Sequence, residues 1–279
     1  MVKKILSFSF LFLILILMYV PIFVLIVFSF TNTTYIGDWN GFSLKLYVDL
    51  FTDQETMIAL GNTIILAVIS AVVSTFLGVT GAIGAFYSKK RNRALVENLN
   101  QLPVVNPEIV IALSLVVMFV SIGNVIFHKQ IFSFWTLLVG HVILAAPFVY
   151  LNVKPKLQQL DPSLYEAALD LGCSPRKALN KVMVPQLVPG ILSGFMLAIT
   201  LSLDDFIVTA FVRGPGLLSG ENAIETLSTL VQAKIKKGPI PPELRALTAI
   251  IFLIVLIVVI GYTIYNNKRS TKVKKRRNY

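Results

Sequence analysis

Residues 5–30 read ILSFSFLFLILILMYVPIFVLIVFSF and contain no charged side chain. The run is long enough to cross a membrane, because a spanning helix needs about 20 apolar residues. It is also much longer than the apolar core of a cleaved signal peptide, which has roughly 7–15 residues, and no small-x-small cleavage site follows it. This stretch therefore predicts a retained membrane-spanning helix.

Five further stretches have the length and hydropathy of membrane spans. They are residues 62–87, 102–121, 132–152, 187–212 and 247–266. Across all 279 residues, 56% are hydrophobic and 14% are charged, whereas soluble domains have about 25% charged residues. The predicted fold is therefore all-α, a polytopic integral membrane protein with six transmembrane helices in one domain covering residues 1–279.

The basic residues give the predicted orientation of the chain. Most of the 25 Lys and Arg residues lie in the segments that share a side with the N-terminus, including the tail at 267–279. Because cytoplasmic loops are enriched in Lys and Arg, both termini are predicted to be cytoplasmic. This distribution explains the net charge of +11 without nucleic acid. The KVKKRR string of the tail is interpreted as a topological anchor or a contact for anionic membrane lipid.

The cytoplasmic loop at 153–186 carries the most specific pattern. Residues 161–191 read DPSLYEAALDLGCSPRKALNKVMVPQLVPGI, which predicts two short helices joined at an angle. Ser163 and Glu166 fit a capping box, and Gly172 can stop the first helix in the left-handed conformation. Ser174 and Pro175 fit the start of the second helix. The residues alone are consistent with either a docking surface or a well-folded loop.

The loop resembles the EAA loop of permeases in binding-protein-dependent ABC importers. The matching positions are Glu166, Ala167, Ala168, Gly172 and Pro185. The resemblance implies the architecture of a type I (MetI-like) ABC importer permease, in which this loop docks into a cleft of the ATPase subunit. It also implies that ATP and Mg²⁺ bind to that partner. Consistent with this, the chain has no G-x-x-x-x-G-K-[ST] phosphate loop.

Three acidic residues fall within the predicted spans: Glu108, Asp204 and Asp205. No Lys or Arg lies in the spans to pair with them, so this set suits a cationic substrate. The topology predicts two separate stations, with Glu108 in the inner half of the membrane and the aspartates toward the outer end. Asp205 shares the helix face of a small-residue stripe and is predicted to face the packed interior, whereas Asp204 lies about 100° away. The stripe consists of Gly190, Gly194, Ala198 and Ser202.

Two further features are predicted from single residues. His141, in the middle of the fourth span, is interpreted as hydrogen-bonded packing rather than a proton relay. In the loop at 31–61, the aromatic residues Tyr35, Trp39 and Tyr47 are consistent with an interfacial belt or with contacts to substrate or its binding protein. The single cysteine, Cys173, excludes an internal disulfide and makes a cysteine metal site implausible.

Several strings together resemble the spermidine/putrescine permease branch, of PotC type. They are GDWNGFSLKLY, PEIVIA, SLDDFIVTAFVRGPG and the later T-L-x-x-L segment. The resemblance implies polyamine uptake involving Glu108 and Trp39, in a bacterial inner membrane. It also implies a second homologous permease, two ATPase subunits and an extracytoplasmic polyamine-binding protein as partners.

Other function classes are less consistent with the sequence. A permease for ferric iron, sulfate or molybdate is the nearest alternative, although an anion carrier should place donors or bases in its pathway. An ion-coupled secondary transporter would leave the EAA pattern without a role. No nucleophile–base constellation supports an enzyme, so no catalytic residues, resident cofactor or metal are assigned to this chain.

Overall fold

The structure is a computed structural model that describes residues 2–161, 163–214, 223–238, 241–257 and 260. Helices make up the regular secondary structure of these ranges, which confirms the all-α prediction. The chain divides into two compact units. The first contains residues 1–57 and 234–279, and the second contains residues 58–233.

Twelve helices are numbered here in chain order. They are α1 (Val2–Phe28), α2 (Lys45–Thr52), α3 (Gln54–Tyr87), α4 (Lys90–Val105), α5 (Glu108–Ile122), α6 (Phe134–Gln159), α7 (Ser163–Asp170), α8 (Pro175–Ala178), α9 (Val184–Asp204), α10 (Ile207–Val212), α11 (Leu227–Lys237) and α12 (residues 243–257). Single π-helical turns extend α5 over Gly123–Phe127 and join α8 to α9 over Leu179–Met183.

Five helical segments of the described chain are long and apolar enough to cross a membrane. They are Leu6–Phe28, Gln54–Tyr87, Glu108–Phe127, Phe134–Gln159 and Pro175–Asp204. Each corresponds to one predicted span. Of the sixth predicted span, 247–266, the structure describes only 247–257 and residue 260, and the described part is helical. The remainder of that span and the basic tail at 267–279 lie outside the described residues.

The third span begins at Glu108 rather than at residue 102 as predicted. Residues 102–105 belong to the separate helix α4, which ends where Asn106 adopts an extended backbone with ψ of 142°. A residue before proline is disfavoured in the helical region, and Pro107 follows directly. The Asn106–Pro107 pair therefore separates α4 from the membrane helix α5.

The fifth span begins and ends earlier than the predicted 187–212. Its helix starts at Pro175 and ends at Asp204, because the π-helical turn connects α8 to α9 without a break. Val184 donates its amide to the carbonyl oxygen of Leu179, five residues back, and Pro185 follows directly. Proline has no amide hydrogen to donate, and Pro185 lies where the helix changes from π-helical to α-helical hydrogen bonding.

The predicted loops also contain helices. Within 31–61 lie α2 and the start of α3, and within 213–246 lie α11 and the start of α12. Residues 215–222 and 239–240, both between the fifth and sixth predicted spans, lie outside the described residues.

In the second unit, α6 packs closely along α9. The predicted small-residue stripe of α9 is buried, which confirms its role in helix packing. A Cβ atom added to Gly194 would lie 3.0 Å from Cα of Val149 on α6. On α3, a Cβ atom added to Gly78 would lie 2.7 Å from Cβ of the same valine. Glycine at these positions allows the three helices to approach closely.

In the first unit, a buried arginine holds the C-terminal end of α1. The Arg245 side chain donates to the carbonyl oxygens of Thr33 and Thr34, each at 2.7 Å, and to that of Phe28 at 3.4 Å. Helix ends leave carbonyl groups without intrahelical partners, and a guanidinium can satisfy several of them at once. Ser29 adds a hydrogen bond of 2.8 Å to the Tyr47 hydroxyl.

Candidate functional site

Two interrupted helices position the predicted acidic residues. Helix α5 begins at Glu108, directly after the break at Asn106 and Pro107. Helix α9 ends at Asp204, and Asp205 adopts an extended backbone with ψ of 121° before α10 begins at Ile207. Helices α5 and α10 pack against each other. Each acidic residue therefore lies at or next to the end of a helix in the second unit.

A pocket of about 170 Å³ lies at these breaks. It is lined by Pro103, Asn106, Glu108, His141, Leu144, Phe148, Leu201, Ser202 and Asp205. Glu108 and Asp205 thus share one pocket, and the prediction of two separate stations is wrong. The predicted depths in the membrane were wrong because they assumed two continuous spans, with Asp205 inside one and Glu108 six residues into the other. In the structure, α5 begins at Glu108 and Asp205 lies in the break before α10.

The carboxylate of Asp205 caps α10. Its Oδ1 accepts from the amide of Val208 at 3.2 Å, and its Oδ2 accepts from the amide and the hydroxyl of Thr209, both at 2.9 Å. Asp205 is buried, as its position on the small-residue stripe predicted. Aspartate is a favoured cap because it satisfies amides that have no partner at a helix start. The hydroxyl of Ser228 donates to the Asp205 carbonyl oxygen at 2.7 Å.

His141 lies beside this carboxylate. Its Nε2 is 3.3 Å from Oδ2 of Asp205 and 3.0 Å from Oγ1 of Thr209, while its Nδ1 is 2.8 Å from Oγ of Ser202. The imidazole is buried, and both of its nitrogens have partners. The prediction that His141 is hydrogen-bonded is confirmed.

The other two acidic residues are more open. Glu108 is partly exposed and interacts electrostatically with Asp205 and Asp204. Asp204 is exposed and does not line the pocket. The pocket-lining residues include no Lys or Arg, so two carboxylates dominate its charge. Within the described part of the chain, no group of acidic, histidine or cysteine side chains is arranged to hold a metal ion.

The cytoplasmic loop has the predicted break between its helices. Gly172 has φ of +83°, a left-handed conformation that favours glycine. The amide of Cys173 donates to the Ala168 carbonyl oxygen at 3.0 Å, and that of Gly172 to the Leu169 carbonyl oxygen at 2.9 Å. This pair of bonds is a Schellman motif, which ends α7 sharply.

The predicted capping box of α7 is wrong. Ser163 is already the first helical residue, and its amide donates to Oδ1 of Asp161 at 2.9 Å. This hydrogen bond from the Ser163 backbone, with a second from its side chain, lowers the pKa of Asp161. Glu166 and Ala167 are exposed, whereas Ala168 is buried.

The exposed face of the loop is apolar as well as acidic. Leu171, next to Gly172, is 86% exposed. On the opposite side, the ring of Tyr165 packs on that of Tyr87 at the end of α3, with centroids 5.4 Å apart. The loop is thus held to a membrane helix on one side and leaves Glu166, Ala167 and Leu171 available on the other. Pro185 is exposed in the first turn of α9.

Comparison with known proteins agrees with this geometry. Residues 74–270 match the family described as "Binding-protein-dependent transport system inner membrane component". The chain belongs to this family. The match includes the last part of α3, the other membrane helices of the second unit and the whole cytoplasmic loop.

Curated relatives in this transport family are permease proteins. The chain is 32% identical over 236 residues to the spermidine/putrescine transport system permease protein PotC of Escherichia coli, covering 85% of this chain and 84% of the relative. It is 32% identical over 227 residues to the putrescine transport system permease protein PotI of the same organism, covering 81% and 78%. PotC of Haemophilus influenzae is 30% identical over 242 residues, with coverage of 87% and 89%.

Solved structures show the same family fold. A chain of a bacterial ABC transporter involved in import of the acidic polysaccharide alginate superposes with a TM-score of 0.75, covering 96% of this chain and 95% of that chain at 16% identity. A second alginate transporter structure, in complex with a pentasaccharide-bound periplasmic protein, gives 0.74 with coverage of 97% and 95% at 18% identity. The fold is therefore that of an ABC importer permease.

Trp39 lies in the first unit of this inner membrane component, whereas the pocket lies in the second. Its ring is half exposed and packs edge to face on Phe28, with centroids 6.2 Å apart. Tyr35 is exposed, and Tyr47 packs on Phe30 with centroids 5.4 Å apart. These contacts fit an interfacial belt and leave part of the Trp39 ring accessible.

Sequence reasoning missed several residues of the pocket. Asn106 lines it because the Asn-Pro pair breaks the helix, and this dipeptide is a turn signal that could have indicated the break. Phe148 and Leu144 line it from α6 on the same helix face as His141. No local pattern distinguishes these two residues from other apolar residues of a membrane helix.

Proposed function

We propose that this permease carries polyamines of the spermidine/putrescine type, and that Glu108 and Asp205 supply the negative charge of its pathway. The observation that carries the proposal is that both carboxylates line one pocket whose lining includes no Lys or Arg. Two neighbouring carboxylates within a membrane protein repel each other, and a cation between them offsets that cost. A substrate ammonium group provides that cation.

The helix starts at the pocket argue against an anionic substrate. Helix N-termini bind anions through their free amides and their positive dipole ends. At α10, however, the Asp205 carboxylate already accepts from the amides of Val208 and Thr209. At α5, the first residue is Glu108, which opposes any approaching anion. Sulfate or molybdate would therefore meet occupied amides and two negative groups.

The remaining walls suit an alkylammonium chain. Leu144, Leu201 and Pro103 are apolar, and Phe148 adds an aromatic ring. Methylene groups favour apolar contacts, and an ammonium group is attracted to the face of an aromatic ring. A metal ion such as ferric iron would instead require several oxygen, nitrogen or sulfur ligands in a fixed geometry. The relatives named as spermidine and putrescine permeases support the same substrate class.

Asp204 and Trp39 are proposed to act along the route rather than in the pocket. Asp204 is exposed and interacts electrostatically with Glu108, so it adds to the negative potential that attracts a cation. Trp39 presents part of its ring to the surroundings and is proposed to contact the substrate or its binding protein. Both termini are proposed to be cytoplasmic in the bacterial inner membrane, which places Trp39 on the outer side.

The cytoplasmic loop is proposed to couple the permease to its ATPase. Glu166, Ala167 and Leu171 are exposed on α7 and directly after it, while Gly172 fixes the turn that follows. ATP and Mg²⁺ would bind to the two ATPase subunits of the complex. The other proposed partners are a second homologous permease, which would complete the pathway, an extracytoplasmic polyamine-binding protein and the membrane lipid.

The proposal is tested by ATP-dependent uptake of radiolabelled spermidine into proteoliposomes that contain this chain with its permease, ATPase and binding-protein partners. Unlabelled putrescine, ferric iron, sulfate and molybdate are added as competitors. Suppression by putrescine alone supports the polyamine class. If the complex hydrolyses ATP but takes up no spermidine, the polyamine assignment is wrong while the permease family remains. Uptake driven by an ion gradient without ATP would instead indicate secondary transport.

A further inference from the structure

A buried chain of hydrogen bonds connects four helices beside the pocket. It begins at Ser70 of α3, whose hydroxyl lies 3.0 Å from Oγ of Ser202 on α9. It continues through His141 of α6 to Thr209 and then to Asp205, over distances of 2.8, 3.0 and 2.9 Å. All five side chains are buried, so their polar atoms depend on one another rather than on water.

The chemistry of the end groups fixes the direction of every bond. An ionised carboxylate only accepts, so the Thr209 hydroxyl donates its proton to Asp205. Having used its proton, Thr209 Oγ1 must accept, and Nε2 of His141 is the donor. The neutral ring then accepts at Nδ1, which receives the proton of Ser202. The Ser202 oxygen in turn accepts from Ser70, whose hydroxyl proton is shared with the Ala67 carbonyl oxygen at 3.1 Å. Each donor and acceptor of the chain is satisfied in this arrangement.

The carboxylate at the end of this chain could otherwise rotate. Asp205 and Phe206 lie between α9 and α10, and the backbone of Asp205 is extended. The amides of Val208 and Thr209 hold it from α10, and His141 closes the remaining side from α6 at 3.3 Å. His141 therefore limits the carboxylate to the orientation in which it caps α10 and borders the pocket.

We propose that His141 is a positioning residue for substrate binding. With its proton on Nε2, it fixes the Thr209 hydroxyl and the Asp205 carboxylate, and so sets where the negative charge stands beside Glu108. His141 acts through Asp205 and makes no ion pair with the substrate itself. The inference rests on the proposed function in that the bound substrate is a cation and Asp205 contributes to its site.

A double-mutant cycle tests this role. His141→Leu, Asp205→Asn and the double variant are reconstituted in the full transporter complex, and the apparent KM for uptake is measured. We expect His141→Leu to raise KM roughly tenfold, within the range of coupling between residues in one network. In the Asp205→Asn background the same change should alter KM less than twofold, because there is no carboxylate left to position. If His141→Leu raises KM by the same factor in the wild-type and Asp205→Asn backgrounds, His141 acts independently of Asp205 and the proposal is wrong.

Two further variants separate positioning from support of the fold. His141→Gln keeps one donor and one acceptor and should restore KM to within about threefold of the wild-type value. His128→Gln replaces the other histidine of the chain, which is exposed and outside the network, and should leave KM unchanged. If the Leu and Gln variants raise KM equally, the hydrogen bonds of the ring do not position the carboxylate and the proposal is wrong.

The test does not depend on the polyamine assignment or on one variant. The cycle is measured with whichever cation the complex transports, so failure of spermidine uptake in the wild type rejects only the proposed substrate. Should His141→Leu not assemble, Ser202→Ala replaces it in the cycle, since it removes the proton donated to Nδ1. The same non-additivity with Asp205→Asn is then expected, and additive effects would again overturn the inference.

Discussion

Gly194 of α9 lies against Val149 of α6 so closely that a methyl group at position 194 would come within 3.0 Å of the valine Cα. Val149 is fully buried and also faces Gly78 of α3. The backbones of α6 and α9 are therefore in near contact next to Phe148, which lines the pocket. Small changes at this contact should alter stability first and transport second.

Gly78→Ala is expected to destabilise the second unit by about 1–3 kcal/mol, the usual cost of overpacking a close contact. The added Cβ would lie 2.9 Å from the carbonyl oxygen of Ala146, a backbone atom that cannot rotate away. Gly84→Ala is the matched control, because it lies on the same helix with no atom within 4 Å of the added Cβ. The melting temperature of the purified complex should fall for Gly78→Ala and stay the same or rise for Gly84→Ala. Equal melting temperatures would mean that the contact does not constrain the helices.

Glu108→Gln is expected to raise the apparent KM for spermidine roughly tenfold or more, because a charge-assisted hydrogen bond contributes about 1.5–3 kcal/mol. The substitution keeps the size of the side chain and removes its charge. Asp204→Asn should raise KM less, since Asp204 is exposed and does not line the pocket. Saturation curves of spermidine uptake measure the KM of both variants. A wild-type KM for Glu108→Gln would remove this carboxylate from the substrate site.

Gly172→Val is expected to reduce ATP-driven uptake roughly fivefold, because a residue other than glycine at φ of +83° costs about 1–2 kcal/mol. The strain would unwind the Schellman turn and shift α7 relative to α9. Gly172→Asn should be milder, as asparagine tolerates this conformation better. Cys173→Ala is a control at the next position. Uptake and co-purification of the ATPase subunit are measured together, and unchanged values for the valine variant would contradict the docking role of the turn.

Glu97→Gln should lower the stability of the second unit at neutral pH and remove part of its sensitivity to acid. Hydrogen bonds from Arg93 at 2.9 Å and Lys154 at 3.0 Å hold the pKa of Glu97 below its usual value of 4.5. Because the folded pKa is lowered, this contribution is complete above pH 4.5 and is lost as the pH falls through the folded pKa. Melting temperatures between pH 7 and pH 3 check this.

A matched variant identifies the partner of Glu97. Lys154→Met removes the contact between α4 and α6 from the other side and should give a similar loss at neutral pH. Adding Lys154→Met to Glu97→Gln should then cost little more, because the interaction is already gone. If the two losses add in full, the ion pair between the helices is not what stabilises them.

The sequence predicted the membrane helices well because their signal is local. Runs such as 5–30 are mostly apolar, and within a bilayer a single segment satisfies its backbone hydrogen bonds by forming a helix. The stripe at Gly190 and Gly194 was likewise readable from helical periodicity. The ends of the helices were predicted less well. Helix α4 ends just before Asn106 and Pro107, and the Asp205 carboxylate caps α10, but these signals lie within otherwise apolar stretches.

The site was predicted by residue but not by arrangement. Glu108 and Asp205 were selected because unpaired acids are costly in a membrane, which is a property of composition. Their meeting in one pocket depends on the packing of α5 against α10, which no spacing along the chain reports. The partners of His141 come from 61 and 68 positions away, and this kind of contact is set by tertiary structure alone.

The guanidinium of Arg245 closes the end of α1, yet it follows Phe28 by 217 positions in the chain. During synthesis the first helix is therefore complete long before Arg245 is made, which donates to the Phe28 carbonyl oxygen and to two carbonyl oxygens shortly after the helix. The contacts that fix the end of the first helix therefore form only after residue 245 has been synthesised.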